Sequence, residues 1–407
     1  MSLVIFVTPQ FSPTASQMIA ALGALDGVTV GVVTHAVAAD APADVARVLR
    51  FHWQVRDILD ANQLVQAAEG IAAQARAPIH RLFGALEHAQ VPIAEARERL
   101  GIEGMRAPAA MKFRDKAAMK DVLQANGLPC ARHRLVRAPA GAAAAVAAVG
   151  FPLVVKPPAG AGAVATFRVN DAAQFADVLA AYPPSAEHPL LLEEFIVGDE
   201  HSLETISIGG KAVWHSLTHY RPTPLDAVQN RWIQWCVLLP REVDDPQFDD
   251  IKRAAAASLS ALGMETGLSH MEWFRRRDGS LAIGEVGARP PGAQITTLIS
   301  RANDIDFVSA WVKVMVRGTF EPPVRKYAVG VAFLRGQGAG RVRSVHGFAD
   351  VVRDFGPLVC DWRLPQMGQQ PTGSYEGEGY IIVRHPETAV VEDALGRIVS
   401  RMRVDLG

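Results

Sequence analysis

The 407-residue chain has little of what marks several large protein classes. It holds three cysteines, Cys130, Cys236 and Cys360, far apart and without a C-x-x-C pair. That excludes a disulfide-stapled scaffold and a cysteine zinc site, leaves the thiols as buried structural groups, and suits a reducing, cytoplasmic setting. Neither sign of charge is in excess, with 41 Lys and Arg against 42 Asp and Glu. A nonspecific polyanion binder, whose affinity comes from neutralising phosphates, is therefore not expected, and no nucleic-acid partner is assigned. No Lys or Arg precedes Arg47, so the apolar opening MSLVIFV lacks the basic start of a secretory signal and reads as a strand. The uncharged run 138–155 is alanine-rich and contains Gly150 and Pro152. It predicts a helix followed by a buried strand, and no membrane span is expected. Phosphate loops of the common kinds are missing too. After the first apolar run stands Thr8-Pro9-Gln10-Phe11-Ser12-Pro13 in place of G-x-G-x-x-G, and the chain has no G-x-x-x-x-G-K-[ST].

What is present is enough apolar residue, 49%, for a sizeable core, and a length that fits about three folding units. Short β-branched runs at 3–8 and 28–34 flank an alanine-rich helical stretch, the alternation of a parallel sheet covered by helices. The expected class is α/β and α+β. A Rossmann-like unit at 1–107 precedes a central unit at 108–320 and a small α+β region at 321–407, with joints at the Pro/Ala-rich 107–110 and at Glu321-Pro322-Pro323. A helix is predicted over about 113–126, ending at Gly127. In the central unit the pattern predicts a helix at 141–149, strands at 151–156 and 165–169, and then strands over 190–216. Turns are predicted there at Gly198-Asp199 and Gly209-Gly210. Helices over 246–262 and about 295–317 follow, each ending in glycine, and a helix closes the chain.

The segment SHMEWFRRRDGSLAIGEVGARPPG, residues 269–292, carries the most chemistry. Asp278-Gly279 is a strong two-residue hairpin signal, and that loop would set Glu272 directly opposite Glu285. Opposed carboxylates among apolar neighbours repel, and a shared divalent cation, Mg²⁺ or Mn²⁺, would compensate. The alternative is a longer loop and a slipped register, with both glutamates exposed or paired with Arg275–Arg277. With a period of two, His270 and Arg289 extend the same face toward an anionic group at the metal. His270 reads equally well as a satisfied structural histidine.

Only eight of the basic residues are lysine, which makes Lys156 at the end of Phe151–Val155 notable. It opens the loop Pro157–Ala163, where free backbone N–H groups of Gly160 and Gly162 suit phosphate. Further on, LLEEFIVGDE ends an apolar strand. Backbone at Glu194 and Ile196 could read an adenine edge and Glu200 could accept from ribose hydroxyls, although each glutamate taken singly reads better as a surface carboxylate on an edge strand. Trp232 and Trp235, beside Arg231, read either as an acceptor-pocket wall or as packing under a loop.

In order, Lys116 in RDKAAMKDVLQANGLP, Lys156 in VVKPPAGAG, EEFIVGDE, and Glu272 and Glu285 in MEWF…GEVGARPPG resemble the motifs of the ATP-grasp superfamily. The resemblance covers about 107–320 and implies ATP and Mg²⁺. Lys116 and Lys156 would meet nucleotide phosphates, Glu193 the adenine amine, Glu194 and Ile196 the hinge edge, and Glu200 the ribose. Glu272 and Glu285 would hold the metal, and Arg289 would stabilise an acyl phosphate. The superfamily usually has Asn two residues after the second glutamate, where this chain has Gly287. The whole chain is similar to carboxylate–amine ligases of the L-amino-acid-ligase and biotin-carboxylase-like kind. That implies small-molecule carboxylate and amine substrates, amino acids among them, with homodimerisation left open. Other ATP-grasp chemistry, such as carboxylation or nucleotide-pathway ligation, and a non-catalytic nucleotide binder stand as alternatives.

Overall fold

The computed structural model describes residues 1–160, 165–230 and 232–407. The apolar, β-branched runs at the start pair as β1 (Ser2–Val7), β2 (Val28–Thr34), β3 (Leu49–Gln54) and β4 (Ile79–Gly84), in a parallel sheet of order β3-β2-β1-β4. Where a dinucleotide fold would place glycines, Ser12 caps the helix Pro13–Gly23 by accepting from the Ala15 N–H, with Pro13 in its first turn.

The helix predicted over 113–126 is in fact two, Ala107–Arg114 and Lys116–Ala125, so the Pro/Ala-rich stretch is itself helical. Asp115 makes the break. Its backbone is extended, and its carboxylate accepts from the Ala117 and Ala118 N–H groups at 2.8 and 2.9 Å. β5 (His133–Val136), β6 (Leu153–Lys156), β7 (Phe167–Val169) and β8 (Leu190–Glu194) then form an antiparallel sheet of order β5-β8-β6-β7. Its core includes Val149, Leu153, Val155, Phe175 and Leu192.

The largest sheet begins with β9 (Gly198–Ile208), β10 (Lys211–Arg221), β11 (Cys236–Leu239), β12 (Gly267–Arg276), β13 (Leu281–Gly287) and β14 (Ala328–Leu334). Gly198, predicted as a turn, already opens β9. Gly209 and Gly210, at φ +55° and +77°, do make the tight hairpin turn to β10. β15 (Gly336–Gln337) and β16 (Val342–His346) leave this sheet, and β17 (Val359–Arg363) and β18 (Gly379–His385) return to it. Its order is β13-β12-β9-β10-β11-β14-β18-β17, so strands on both sides of the Pro322-Pro323 joint share one sheet. The helix predicted over 295–317 is broken into Ile295–Asn303 and Phe307–Arg317. Asp304 sits at φ +52°, and Asp306 caps the second helix. The closing helix Thr388–Arg401 is followed by β19 (Arg403–Leu406), which pairs with β15 and β16.

Alternation sorts β9–β13 into two faces. Leu203, Leu217, Met271, Trp273, Ile283 and Val286 pack in one cluster with residues of the helices Lys116–Ala125 and Asp249–Leu262. Residues of the other parity, among them Glu200, Glu204, His270, Glu272 and Glu285, lie on the face of the cleft described below.

On the packed face the His201 ring lies 4.6 Å from Trp273 and meets His219 edge-on at 4.5 Å. Burial, with the neighbouring His219 and Arg275, pushes His201 down from 6.5 to about 3. Burial and Arg221 push His219 down to about 4. Both rings bind protons better when the chain is unfolded, so their stabilisation is complete above pH 6.5 and is lost as pH falls toward the folded values. Stability should drop by up to about 2 kcal/mol per ring between pH 7.5 and pH 5. Urea unfolding at the two pH values checks this, and His201→Phe should flatten the drop.

Candidate active site

A cleft of about 320 Å³ lies between the β5–β8 sheet and the second face of β9–β13. Lys116, Lys156, Gly160 and Glu193 line it on one side, with Glu194, Ile196 and Glu200 along the connection from β8 to β9. His270, Glu272, Glu285 and Arg289 line it on the other. Gly162, also expected to meet phosphate, lies outside the described residues.

Glu272 does stand opposite Glu285, but not by the predicted route. Asp278-Gly279 is no two-residue loop. Arg276 donates its N–H to the Ser280 carbonyl and accepts from the Gly279 N–H, so the loop is 277–279, with Gly279 at φ +84°. The extra loop residue shifts the ladder by one, leaving Trp273 opposite Ile283. A bulge at Gly284 shifts it back, so that Glu272 meets Glu285 and His270 meets Gly287. Only glycine fits the bulge comfortably, because a Cβ there would lie 3.1 Å from the Phe274 ring and 3.4 Å from the Glu272 carbonyl. The arginines do not neutralise the pair. Arg275 binds Asp250, and Arg276 binds Glu194 at 3.1 Å.

Two lysines converge on Glu193. Lys156 Nζ is 2.9 Å from Oε2, and the fully buried Lys120 Nζ is 3.6 Å from Oε1, an oxygen buried without a hydrogen bond. Burial alone would raise the Glu193 carboxyl, but the charges of Lys120 and Lys156 outweigh it and hold it below its ordinary value. Glu193 is thus engaged by two ammonium groups, with Oε1 left as an acceptor without a hydrogen bond. Lys116 Nζ is 2.9 Å from Glu285 Oε1 and donates to the Gly160 carbonyl at 2.7 Å. Burial opposes ionisation of Glu285, yet Lys116 and Lys156 bring it down to about 2. Glu200 goes the other way, raised well above its ordinary value by burial and by the negative charge of Glu272.

Glu194 is tied down through both its side chain and its N–H. Its carboxylate is held by Arg132 and Arg276 at 3.1 Å each, and its N–H donates to the Arg132 carbonyl. Its carbonyl is the group left to read a base edge.

His270 Nδ1 lies 2.8 Å from Glu204 Oε1, and its Nε2 lies 3.7 Å from Glu272. Burial opposes its charge, but the hydrogen bond to Glu204 and the nearby Glu272 carboxylate push it up to about 9. Glu204, buried at 0% exposure, also accepts from Ser202 and Thr218. The one sequence signal for it is an acidic residue at an inward position of the EHSLETISI strand. Arg289 donates through Nε and NH2 to Glu87 Oε2, at 3.0 and 2.9 Å, and Arg114 binds the other Glu87 oxygen. No local pattern could link Glu87 to a residue some 200 positions away.

Trp235 is buried, donates to the Pro222 carbonyl, and packs against Phe333 and Tyr375 at the cleft wall, whereas Trp232 is 66% exposed. Burial pushes the Cys236 thiol up to about 12 and Cys360 to about 11, as suits inert structural groups. Among the described residues no three His, Cys, Asp or Glu side chains gather as a metal cage. Two opposed carboxylates that leave other positions to water and phosphate oxygens fit Mg²⁺ or Mn²⁺ held with a nucleotide.

Residues 121–303 match the ATP-grasp domain family. The chain is 25% identical over 225 residues to an L-arginine-specific L-amino acid ligase of Bacillus subtilis, covering 54% of each chain. It is 30% identical over 180 residues to a D-alanine–D-alanine ligase of Pediococcus pentosaceus, covering 42% of this chain and 47% of that one. The chain thus spans about half the length of the curated relatives it matches. In fold it resembles the crystal structure of an L-amino acid ligase from Bacillus licheniformis, with TM-score 0.77 and 18% identity over 100% of this chain and 99% of that one.

Removing Glu193 would leave two buried ammonium groups without their counter-ion. Glu193→Ala should destabilise the ligand-free chain by about 3–5 kcal/mol in urea unfolding, far more than an exposed glutamate would.

Proposed function

From the match of residues 121–303 to the ATP-grasp domain family we propose that the chain is an ATP-dependent carboxylate–amine ligase. In this reading it activates a small-molecule carboxylate as an acyl phosphate and joins it to an amine, with amino acids the favoured substrates. The observation that carries the reading is the meeting of Lys116, Lys156 and Glu193 with the opposed Glu272 and Glu285 in one cleft. The kinship to amino acid ligases over half the chain supports it.

The nucleotide phosphates lie against Lys116 and Lys156, whose charges offset the negative charge gathering on the transferring phosphoryl group. The Glu194 carbonyl and Ile196 backbone receive the base, and Glu200 accepts from the ribose. Glu272 and Glu285 would hold Mg²⁺ or Mn²⁺, which when bound neutralises phosphate charge. Gly287 adds no side chain to that set, so a third ligand would come from water or from elsewhere in the chain. A substrate carboxylate oxygen attacks the γ-phosphorus and ADP leaves. The amine then attacks the acyl carbon, and phosphate leaves the tetrahedral species. Arg289, its fork oriented by Glu87, stabilises the charge on that species. His270, held charged by Glu204, orients Glu272. No protein nucleophile is required, and the three cysteines take no part.

Incubation with ATP, Mg²⁺ and pooled amino acids should release ADP and phosphate and yield a product whose mass equals two amino acids minus water. Nucleotide binding without turnover across a broad set of carboxylates and amines would sink the ligase assignment. Lys156→Ala should weaken ATP binding about 10- to 100-fold by calorimetry, the loss expected for a charge-assisted contact. Glu285→Gln also removes the partner of Lys116, so some thermal stability should be lost, but turnover of the folded variant should fall by more, at least the roughly 10–100-fold loss typical of a disturbed metal shell.

A further inference from the structure

β13 is an edge of the eight-stranded sheet, and an edge strand presents backbone groups with no ladder partner. Here the helix Lys116–Ala125 and the chain after it cover that edge. Lys120 Nζ donates to the Gly284 carbonyl at 2.6 Å, and Lys116 pairs with the Glu285 carboxylate. The Val286 N–H donates to Met119 Sδ at 3.1 Å, and the Ile283 N–H to the Pro129 carbonyl at 2.8 Å. Residues 116, 119 and 120 share one helical face, so three successive residues of β13 are gripped by one face.

The Lys120 contact is unlike the others. Its side chain is 0% exposed, and burial lowers its pKa despite Glu193. A neutral donor would cover a strand edge at much smaller desolvation cost. The carbonyl it binds belongs to the bulge residue, where the ladder shifts by one and Glu285 comes to face Glu272. The same ammonium is also the nearest partner of Glu193 Oε1, which has no hydrogen bond of its own.

We propose that Lys120 is a positioning residue for the metal carboxylates: by holding the Gly284 carbonyl against the helix it locks the bulge and sets the place of Glu285 relative to Glu272. It is not among the residues that line the cleft. The proposal rests on the reading of Glu272 and Glu285 as metal ligands.

The test uses the full chain, with Mn²⁺ as the probe at saturating ADP and free Mn²⁺ followed by electron paramagnetic resonance. Lys120→Met should weaken Mn²⁺ binding about 10-fold or more, leave metal-free ADP binding nearly unchanged, and alter the spectrum of bound Mn²⁺. Lys120→Arg, which keeps charge and donors, should restore most of the affinity. Unchanged Mn²⁺ affinity in Lys120→Met overturns the proposal, as does a fall of Mn²⁺ and ADP affinity in equal proportion, the mark of a merely structural role. Wild-type chain that binds ADP but no Mn²⁺ overturns the metal assignment itself, a distinct result. If Lys120→Met does not fold, Gly284→Ala probes the same link from the strand side. It should show the same selective loss of Mn²⁺, and full Mn²⁺ affinity there refutes the role of the bulge.

Discussion

A carboxylate buried between two ammonium groups is the constraint on which the cleft depends. Glu193 on β8 is flanked by Lys156 at the end of β6 and by Lys120 on the helix beside β13. Each of these charges loses several kcal/mol of hydration on burial, which only close opposite charge can offset. The three must therefore be brought together from three elements or not be buried at all. Once together they tie the β5–β8 sheet to the edge of the large sheet, and the cleft is the space between those two sheets. The low dielectric that makes the trio costly also strengthens its field at the cleft wall.

The opposition of Glu272 and Glu285 shows how a local rule can reach a correct pairing through the wrong geometry. Asp-Gly favours a two-residue turn, yet the chain uses a three-residue loop with Gly279 at positive φ. The offset is cancelled at Gly284, where the ladder bulges. Hairpin rules describe a strand pair in isolation. This pair also has to satisfy Lys120, Met119 and Pro129 along its outer edge, and the bulge turns the Gly284 carbonyl to the waiting ammonium.

Two polar residues of the cleft, Arg289 and His270, are held by partners from distant parts of the chain. Glu87, after β4, orients Arg289, and Glu204 on β9 orients His270. Fixing a side chain through a second buried hydrogen bond lowers the entropy lost when a ligand arrives, the usual route to preorganisation. These partners explain why the site spans the N-terminal sheet and the large sheet, although the ordered motifs themselves fall in the middle of the chain.

Patterns that act over a few residues are legible in the sequence alone. These include the apolar runs of β1 and β2, the Gly209-Gly210 turn, and the glycine after the helix Asp249–Leu262. The lysines and glutamates that line one cleft are legible as well, because their motifs occur in a characteristic order. The interruptions at Asp115 and Asp304 are not, since an apolar period runs through them and only a side-chain cap or a left-handed residue ends each helix. Glu87, Glu204 and the ammonium of Lys120 are invisible for a different reason. A buried charge is tolerable only where its partner lies within a few ångströms, and that proximity is created by packing elements that are remote along the chain.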